Sequence, residues 1–501
     1  MSTRVTRRDF LAGSASLAAV LAALHGRRSM ASPRASQSVA GPYGRLRPVA
    51  DLETGLPLIL LPDGFEYRTF SWTGDAMANG EPAPDLHDGM GVIAAGRNDG
   101  QIDVTLVRNH ERAIASPIIA PARYDAAMLA GQGFAPAGGT TTLRFRGRRW
   151  LRAESSLGGT IYNCAGGVTP WGTWLSCEET VIDRSAKGGK RHGYVFEVRR
   201  DSAETTGRPI VAMGRMCHEA VAIDPGTRIA YLTEDEDQAR CSGFYRFMPK
   251  ERNGIAGSYE AGGRLQAARV VGRANADLVT PQVGDLHEIQ WVDIENPDAD
   301  SAAPPVELSP PPASNGKIVT ASGPFLQAWS QGALRLSRAE GICHHAGKFY
   351  LVDTEAGIDA EGRRGHGEGA VWEYDPQAET LRAIFVAGSQ QVGDNIDNIV
   401  VSPRGGMLLC EDGDSVTDVY RPGTRLIGIT AEGDSYAFAM NNVSLTLEQV
   451  VAAGKRIFPR DYRGEEWAGA CFDPDGEVLF VNIQTPGITF AIWGPWERGN
   501  L

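Results

Sequence analysis

Short apolar runs that end in acidic or amide residues recur along the chain. Each run is rich in leucine, β-branched or aromatic residues, which is typical of buried β-strands. Several follow a turn of the type DPxG or SPxG, and several precede another strand-like run. The six runs lie at residues 104–111, 173–179, 230–236, 349–355, 407–413 and 479–484.

This repeated order of strand, polar end, loop and strand predicts an all-β fold, a six-bladed β-propeller with loop and short helical insertions. The gap between the third and fourth runs is the longest, so it holds either a large insertion or a seventh blade. One amphipathic helix is predicted over residues 444–453, with Ser444 as its N-cap. Residues 296–312, rich in Pro, Ala and Asp, are predicted to form a loop.

In a propeller, equivalent strand ends meet around a central channel. Carboxylates that lie a few Å apart in one funnel repel each other, so either several are protonated or cations are bound. Ca²⁺ and Fe³⁺ both prefer oxygen ligands. The alternative is that each acid caps its strand at a solvated rim. The residues expected at this mouth are Glu111, Glu179, Glu234, Glu355, Glu411 and Asn482.

Residues 158–180 add a sulfur atom to this picture. Cys164 precedes a glycine-proline turn, and a short apolar strand then ends in Glu178 and Glu179. One soft thiolate beside hard carboxylates suits a site for oxygen-preferring cations that also takes one sulfur ligand. The alternative is a buried strand cysteine followed by a solvated acidic turn.

The N-terminus carries an export signal. Residues 6–11 read TRRDFL, and the apolar run that follows is too short to span a bilayer. We expect a twin-arginine signal peptide at 1–31, a flexible segment at 32–49 and one propeller domain at 50–501. These features predict a periplasmic or secreted protein whose partner is the twin-arginine export machinery, with no stable membrane span.

Composition narrows the classes of partner and compartment. The net charge is −12 with no basic cluster outside the signal, which disfavours nucleic acid as a partner. Seven cysteines without CxxC spacing form a poor disulfide framework. Export in the folded state suits a chain that loads metal in the cytoplasm. A monomer is expected.

The chain resembles the PhoX-type alkaline phosphatases from about residue 50 to the C-terminus. The resemblance is carried by LVRNHE, NCAGGVTPWGTWLSCEE, CHEAVAIDP, TEDEDQARCSGFYRF, RAEGI, CEDGD and DPDGEVLFVNIQTPGITFAIWGPW. It implies a twin-arginine-exported, six-bladed propeller that hydrolyses phosphate monoesters, and often diesters. It also implies two ferric ions and three calcium ions at the channel mouth.

The resemblance implies roles for single residues. Cys164 would bridge the ferric ions, which makes it a catalytic as well as a metal-binding residue. Arg338 would be catalytic by holding phosphate, and Asn109 would bind substrate. The remaining metal ligands implied are Glu111, Glu179 (rather than Glu178), Glu219 and Glu340.

Two departures from the family pattern place the chain in a side branch. Ala339 stands where the family usually has proline, and residues 233–238 read TEDEDQ with Cys241 close behind. Two other functions remain open on the sequence. One is a calcium-dependent propeller hydrolase of the lactonase or phosphotriesterase type, and the other is a non-catalytic propeller that binds a ligand or protein.

Overall fold

The computed structural model describes residues 34–128, 134–308, 319–413 and 423–501. The predicted signal peptide lies outside these residues. Among the residues described, no helix has both the length and the apolar character needed to cross a membrane.

Strands make up most of the regular structure. In chain order the first of them are β1 (Arg47–Val49), β2 (Ile59–Leu61), β3 (Glu66–Phe70), β4 (His87–Asn98), β5 (Gln101–His110), β6 (Ile114–Ala115), β7 (Ala135–Pro136), β8 (Gly138–Arg146), β9 (Arg149–Thr160), β10 (Asn163–Val168), β11 (Trp174–Glu178), β12 (Val195–Val198), β13 (His218–Ile223) and β14 (Ala230–Glu234).

The second half of the chain continues the series and contains two α-helices, α1 (Gly323–Ser330) and α2 (Leu447–Ala452). Its strands are β15 (Phe244–Pro249), β16 (Gly263–Val270), β17 (Leu286–Asp293), β18 (Ala339–His345), β19 (Lys348–Asp353), β20 (Ala370–Asp375), β21 (Thr380–Val386), β22 (Ile396–Val401), β23 (Met407–Glu411), β24 (Arg425–Ile429), β25 (Ser435–Asn441), β26 (Trp467–Phe472), β27 (Leu479–Ile483) and β28 (Ile488–Trp493).

The strands form antiparallel sheets that stack face to face. In strand β23, Leu408 and Cys410 pack in one hydrophobic cluster, whereas Met407 and Leu409 pack in another. Successive side chains point to opposite faces of a strand, so both faces of this sheet are covered by neighbouring sheets. The continuous apolar runs in the sequence therefore mark strands that are buried on both sides.

The sheets surround a central channel as a β-propeller. Their orders are β4-β5-β8-β9, β10-β11-β12, β13-β14-β15-β16 joined through β17 to β21-β20-β19-β18, β22-β23-β24-β25-β2-β1, and β26-β27-β28-β3. The innermost strands β4, β10, β13, β18, β22 and β26 each contact the next, and β26 contacts β4. The last sheet combines strands from both ends of the described chain, because β3 pairs with β28.

Each innermost strand has a bulge near its start, where its register with the next strand shifts, and the bulge in β26 lies one residue later than the other five. The shifts lie at His87/Met90, Asn163/Gly166, His218/Val221, Ala339/Ile342, Ile396/Ile399 and Ala468/Cys471. A bulge bends the strand and re-aims its side chains. This repeated bulge sets the geometry of one mouth of the channel.

One backbone hydrogen bond also repeats beside every bulge. An N–H just past the second strand donates to a carbonyl just before the first strand. The pairs are Glu111 to Leu86, Glu179 to Tyr162, Asp235 to Cys217, Thr354 to Arg338, Asp412 to Asn395 and Gln484 to Glu466. Because these six pairs are equivalent, they show which residues share a position around the mouth.

Three details differ from the sequence expectations. Residues 34–49 were expected to be flexible, but Tyr43 is buried against Phe65 and Trp496 and β1 pairs with β2. Helix α2 begins later than predicted because its N-cap is Thr446, which forms a capping box with Gln449. The long gap between the third and fourth runs holds β17 and α1, and β17 joins two sheets by pairing with both β16 and β21.

Candidate metal and phosphate site

Two sets of equivalent residues bring acidic side chains to the same mouth of the channel. The first set follows the paired residue at the start of each innermost strand and contains Asp88, Cys164, Glu219, Glu340 and Asp397. The second set follows the end of each second strand and contains Glu111, Glu179, Asp235 and Asp412. The bulges explain why residues so far apart in sequence converge.

The most compact part of the site consists of three overlapping groups of possible metal ligands. Within each group, one ligand atom per residue lies within 4.8 Å of the others. Glu179, Glu219 and Glu340 each belong to two groups, so the groups form one continuous cluster. The groups are Cys164–Glu179–Glu219, Glu179–Asp235–Glu340 and Glu219–Glu340–Asp397.

A second acidic part adjoins the first through Asp397. Burial, followed by the charges of neighbouring carboxylates, raises the pKa of Asp397 to about 8 and that of Asp412 to about 7. Burial also raises the pKa of Asp88 to about 6. The pKa values of Glu111 and Glu466 are raised well above the ordinary value, first by burial and then by these aspartates. The five carboxylates therefore sense one another as a single cluster.

Burial of so many acids without counter-ions is unfavourable, and the cluster contains few compensating donors. Glu219 is fully buried, yet neither of its carboxylate oxygens accepts a hydrogen bond from any described N–H or alcohol group. The same holds for Oδ1 of Asp397. Unpartnered carboxylate oxygens that converge on one space, beside a thiol, fit bound cations.

The Cys164 thiol lies in this acidic setting. Burial, and then the charges of Asp88 and Glu219, raise its pKa well above the ordinary value. Without a cation the sulfur thus stays protonated, whereas a bound metal ion reverses this by favouring the thiolate. Cys177 is different, because it packs in an apolar cluster with Leu175 and Val195.

Glu178 and Glu179 point in different directions, as the alternation along a strand requires. Glu179 joins the cluster at the mouth. Glu178 is fully buried behind it, where its carboxylate accepts hydrogen bonds from the backbone N–H groups of Ile161 and Gly193 and contacts His192. The structure thus places Glu179 rather than Glu178 among the possible ligands.

Arg338 lies at the edge of the same cluster. Its Nε and Nη2 lie 3.1 and 2.6 Å from the two carboxylate oxygens of Asp235. Nη2 is also 3.0 Å from Glu340, and Nη1 is 3.6 Å from Glu355. Burial alone would lower the pKa of Arg338, but these carboxylates raise it well above the ordinary value. A permanent positive charge is therefore fixed next to the acidic cluster.

Asn109 does not have the role expected of it. Its Nδ2 donates to the backbone carbonyls of Cys164 and Ala165, and its Oδ1 accepts from Trp174 and Ser176. A side-chain amide has two donor and two acceptor positions, so all four are used. The amide has no free group for substrate, and it holds the backbone of Cys164 instead.

Three strand-end residues expected at the mouth point elsewhere, and a fourth reaches only its rim. Glu234 contacts the Tyr245 hydroxyl, and Glu411 pairs with Arg425. The Asn482 amide donates to the backbone carbonyl of Asp88 and accepts a hydrogen bond from the Thr489 hydroxyl. Glu355 reaches the rim, where it pairs with Arg338 and Arg240. The error is one of register, because the side chains that face the channel belong to neighbouring residues such as Asp235 and Asp412.

Five acidic residues of the site were not predicted. Asp235 and Asp412 directly follow predicted strand-end acids, so the alternation of side chains was a usable signal for them. Asp88 and Asp397 lie at the start of innermost strands, and Glu466 directly precedes one. All three are outside the six runs, and only the pairing of β4, β22 and β26 with their neighbours brings them to the site.

Beyond the cluster, the channel becomes apolar. A cavity of about 490 Å³ lies between the innermost strands and is lined by residues such as Met90, Val92, Ile342 and Val400. These residues follow the acidic positions along the same strands. The lining is mainly apolar, although His344, Asn398 and Asp473 also contribute to it.

Comparison with known proteins now decides between the functions left open by the sequence. A family model described as alkaline phosphatase PhoX matches residues 42–487. The chain belongs to this family. Membership of the PhoX alkaline phosphatases makes the protein a metal-dependent phosphatase, a hydrolase of phosphoric esters. No curated protein sequence matches the chain significantly.

Solved structures agree on the fold. The chain is similar to Pseudomonas fluorescens PhoX in complex with vanadate, a transition state analogue, with a TM-score of 0.59 and 18% identity over 93% of this chain and 99% of that chain. A putative gluconolactonase matches at a TM-score of 0.30 and 10% identity, over 81% of this chain and 92% of that chain. The first likeness confirms the PhoX-like propeller fold, whereas the second is too weak to support any inference.

Proposed function

We propose that this PhoX family member is an exported phosphatase that hydrolyses phosphate monoesters, and also diesters, with ferric and calcium ions at the channel mouth. The observation that carries the proposal is the convergence of Cys164 with Glu179, Glu219 and Glu340, where no described N–H or alcohol group donates to the Glu219 oxygens. Such a donor set of one sulfur and many carboxylate oxygens fits iron and calcium together.

The ligands divide between residues expected from the sequence and residues added by the structure. Those expected are Cys164, Glu179, Glu219, Glu340 and Glu111. Those added are Asp88, Asp235, Asp397, Asp412 and Glu466, which share the same buried space. Ferric and calcium ions bound there would supply Lewis acidity and cancel the charge that otherwise repels a phosphate dianion.

Arg338 is the residue that we assign to phosphate binding. Asp235 and Glu340 occupy Nε and Nη2, so Nη1 is the group that we expect to donate to a phosphate oxygen. Asp235 and Glu340 hold its plane in place, so the chain orients the phosphoryl group without a flexible donor. Displacement at phosphorus depends mainly on such positioning and on charge neutralisation.

The remaining expectations extend this proposal. Residues 6–11 support export through the twin-arginine machinery to the periplasm. The ring of six innermost strands, with its six equivalent bulges, supports a count of six blades. We also propose a monomer whose substrate is a small phosphate ester.

The experiment compares an aryl phosphate monoester with a bis-aryl phosphate diester, using protein purified after export. We expect turnover of both substrates by wild type, and loss of turnover by orders of magnitude in Glu219→Gln, because a neutral amide weakens cation binding. Glu197→Gln is the matched control, since Glu197 lies on β12 and hydrogen-bonds Trp171 and Thr173 away from the mouth. Equal activity of Glu219→Gln and wild type would exclude the proposed centre.

A further inference from the structure

Behind the Cys164–Glu179 hairpin lies a buried row of alternating charges. It consists of Arg184, Asp125, His192 and Glu178, which we call the anchor network. Their side chains are 3%, 2%, 0% and 0% exposed. Buried charges are stable only when they are paired, and each side chain of this row contacts the next one along it.

His192 connects the two carboxylates of the row. Its Nδ1 lies 2.6 Å from Oε1 of Glu178, and its Nε2 lies 3.3 Å from Oδ2 of Asp125. Both ring nitrogens can donate only in the imidazolium form. Burial alone would lower the pKa of His192, but Glu178 and Asp125 raise it above the ordinary value. The Tyr124 ring packs edge-on against the imidazole.

Glu178 links this row to the proposed ligands. It accepts hydrogen bonds from the backbone N–H groups of Ile161, Gly193 and Tyr194. Ile161 lies three residues before Cys164, and Glu178 is next to Glu179 in the chain. One carboxylate therefore fixes the chain segments that carry both candidate ligands.

The same contact occurs in two other sheets. Asp353 accepts from the backbone N–H of Ser337, and Glu411 accepts from that of Asp394. These donors hold the same place relative to their bulges as Ile161 does, two residues before the paired strand residue. Among these three described anchors, Glu178 is the one that contacts a histidine.

From these contacts we infer that His192 is a positioning residue, which holds Glu178 and thereby sets the geometry of Cys164 and Glu179 as metal ligands. The inference rests on the proposed function, because it requires a metal centre at these two residues. Partners that orient metal ligands typically change metal affinity by about 10- to 100-fold when they are mutated.

The test uses the different reach of two amides. In His192→Asn the amide nitrogen takes the place of Nδ1 and still donates to Glu178, whereas in His192→Gln it extends toward Asp125. We measure the rate at which each exported, metal-loaded protein loses iron to a chelator, together with its visible absorbance. We expect the slowest loss in wild type, faster loss in His192→Asn, and the fastest loss in His192→Gln, with a total range of about 10- to 100-fold.

Controls separate positioning from general destabilisation. Tyr43→Phe removes buried hydrogen bonds to Trp496 and Leu501 far from the site, so it should lower the melting temperature without changing iron loss. Asp125→Asn keeps the side-chain volume at this position and the contact between His192 and Glu178. This variant replaces the His192 variants in the test if they do not fold. It should lose iron at a rate between wild type and His192→Gln.

The possible results are distinct. Equal rates of iron loss in wild type and all variants would overturn the inference. So would rates of iron loss that simply increase as the melting temperature falls, with Tyr43→Phe following the same relation. A wild-type protein with no absorbance that depends on Cys164, shown with Cys164→Ser, would instead overturn the proposed centre, and the inference would fall with it.

Discussion

Removal of the metal ions should destabilise the protein, and the loss should be larger at pH 8 than at pH 5. In the metal-free fold, burial raises the pKa of Asp88 to about 6, and the pKa values of Asp412 and Asp397 to about 7 and about 8. A carboxyl whose pKa is raised by folding binds more protons folded than unfolded. The loss of folding stability that it causes is absent below its pKa in the unfolded chain, near 4. This loss grows with pH until the pH passes its pKa in the folded protein.

The magnitude follows from the smallest of these shifts. The change for Asp88 from 3.8 to about 6 corresponds to roughly 3 kcal/mol of lost stability when the carboxyl is ionised. At an unfolding entropy of about 2.1 cal/mol/K per residue, a folded chain of this size loses about 3 °C in melting temperature for that amount. The coupled groups add to this, so about 3 °C is a lower bound.

The assay is thermal unfolding of metal-loaded and chelator-stripped protein between pH 5 and 8. The gap in melting temperature should widen as the pH rises. The raised pKa of His192 gives stability that both forms lose as the pH rises, so it lowers both melting temperatures without widening the gap. The widening comes from the buried carboxylates. Stripped Asp397→Asn should therefore show a flatter pH dependence than stripped wild type. A gap that stays constant or narrows with rising pH would refute the electrostatic reasoning.

Three further predictions concern single side chains. Cys164→Ser should lose activity by orders of magnitude, whereas Cys177→Ser, in its apolar cluster, should keep most activity. The reverse order in an aryl phosphate assay would show that Cys164 is not the cysteine that binds metal. Arg338→Ala should lower kcat/KM by an amount equivalent to about 2–4 kcal/mol while metal content stays the same, and Arg338→Lys should restore part of the activity. Full activity of Arg338→Ala would exclude Arg338 from phosphate binding. Joint replacement of Arg7 and Arg8 by lysine should retain the precursor in the cytoplasm, and fractionation that shows normal periplasmic activity would contradict the export signal.

The sequence predicts the fold well because the repeat is local. Runs such as residues 407–413 carry both the strand and its polar end, so pattern alone identifies the all-β propeller. The continuous apolar run corresponds to a strand buried on both faces, since Leu408 and Leu409 pack in different hydrophobic clusters. The N-terminal segment was misjudged because the burial of Tyr43 depends on Trp496 at the far end of the chain.

The site was less predictable, for two physical reasons. Side chains alternate along each second strand, so Asp235 rather than Glu234 joins the cluster, and the six runs alone do not show which of two consecutive acids faces the channel. Asp88 and Asp397 come together only through closure of the circle of strands. Asn109 shows the limit of carrying over a role by motif, since its amide is fully used by the backbone around Cys164.

The most direct test of the central claim is the metal content and visible absorbance of protein purified after export, measured beside its phosphatase activity. The claim predicts bound iron and calcium, a visible band that disappears in Cys164→Ser, and loss of aryl phosphate turnover on chelation. A colourless, iron-free protein with full activity would contradict it.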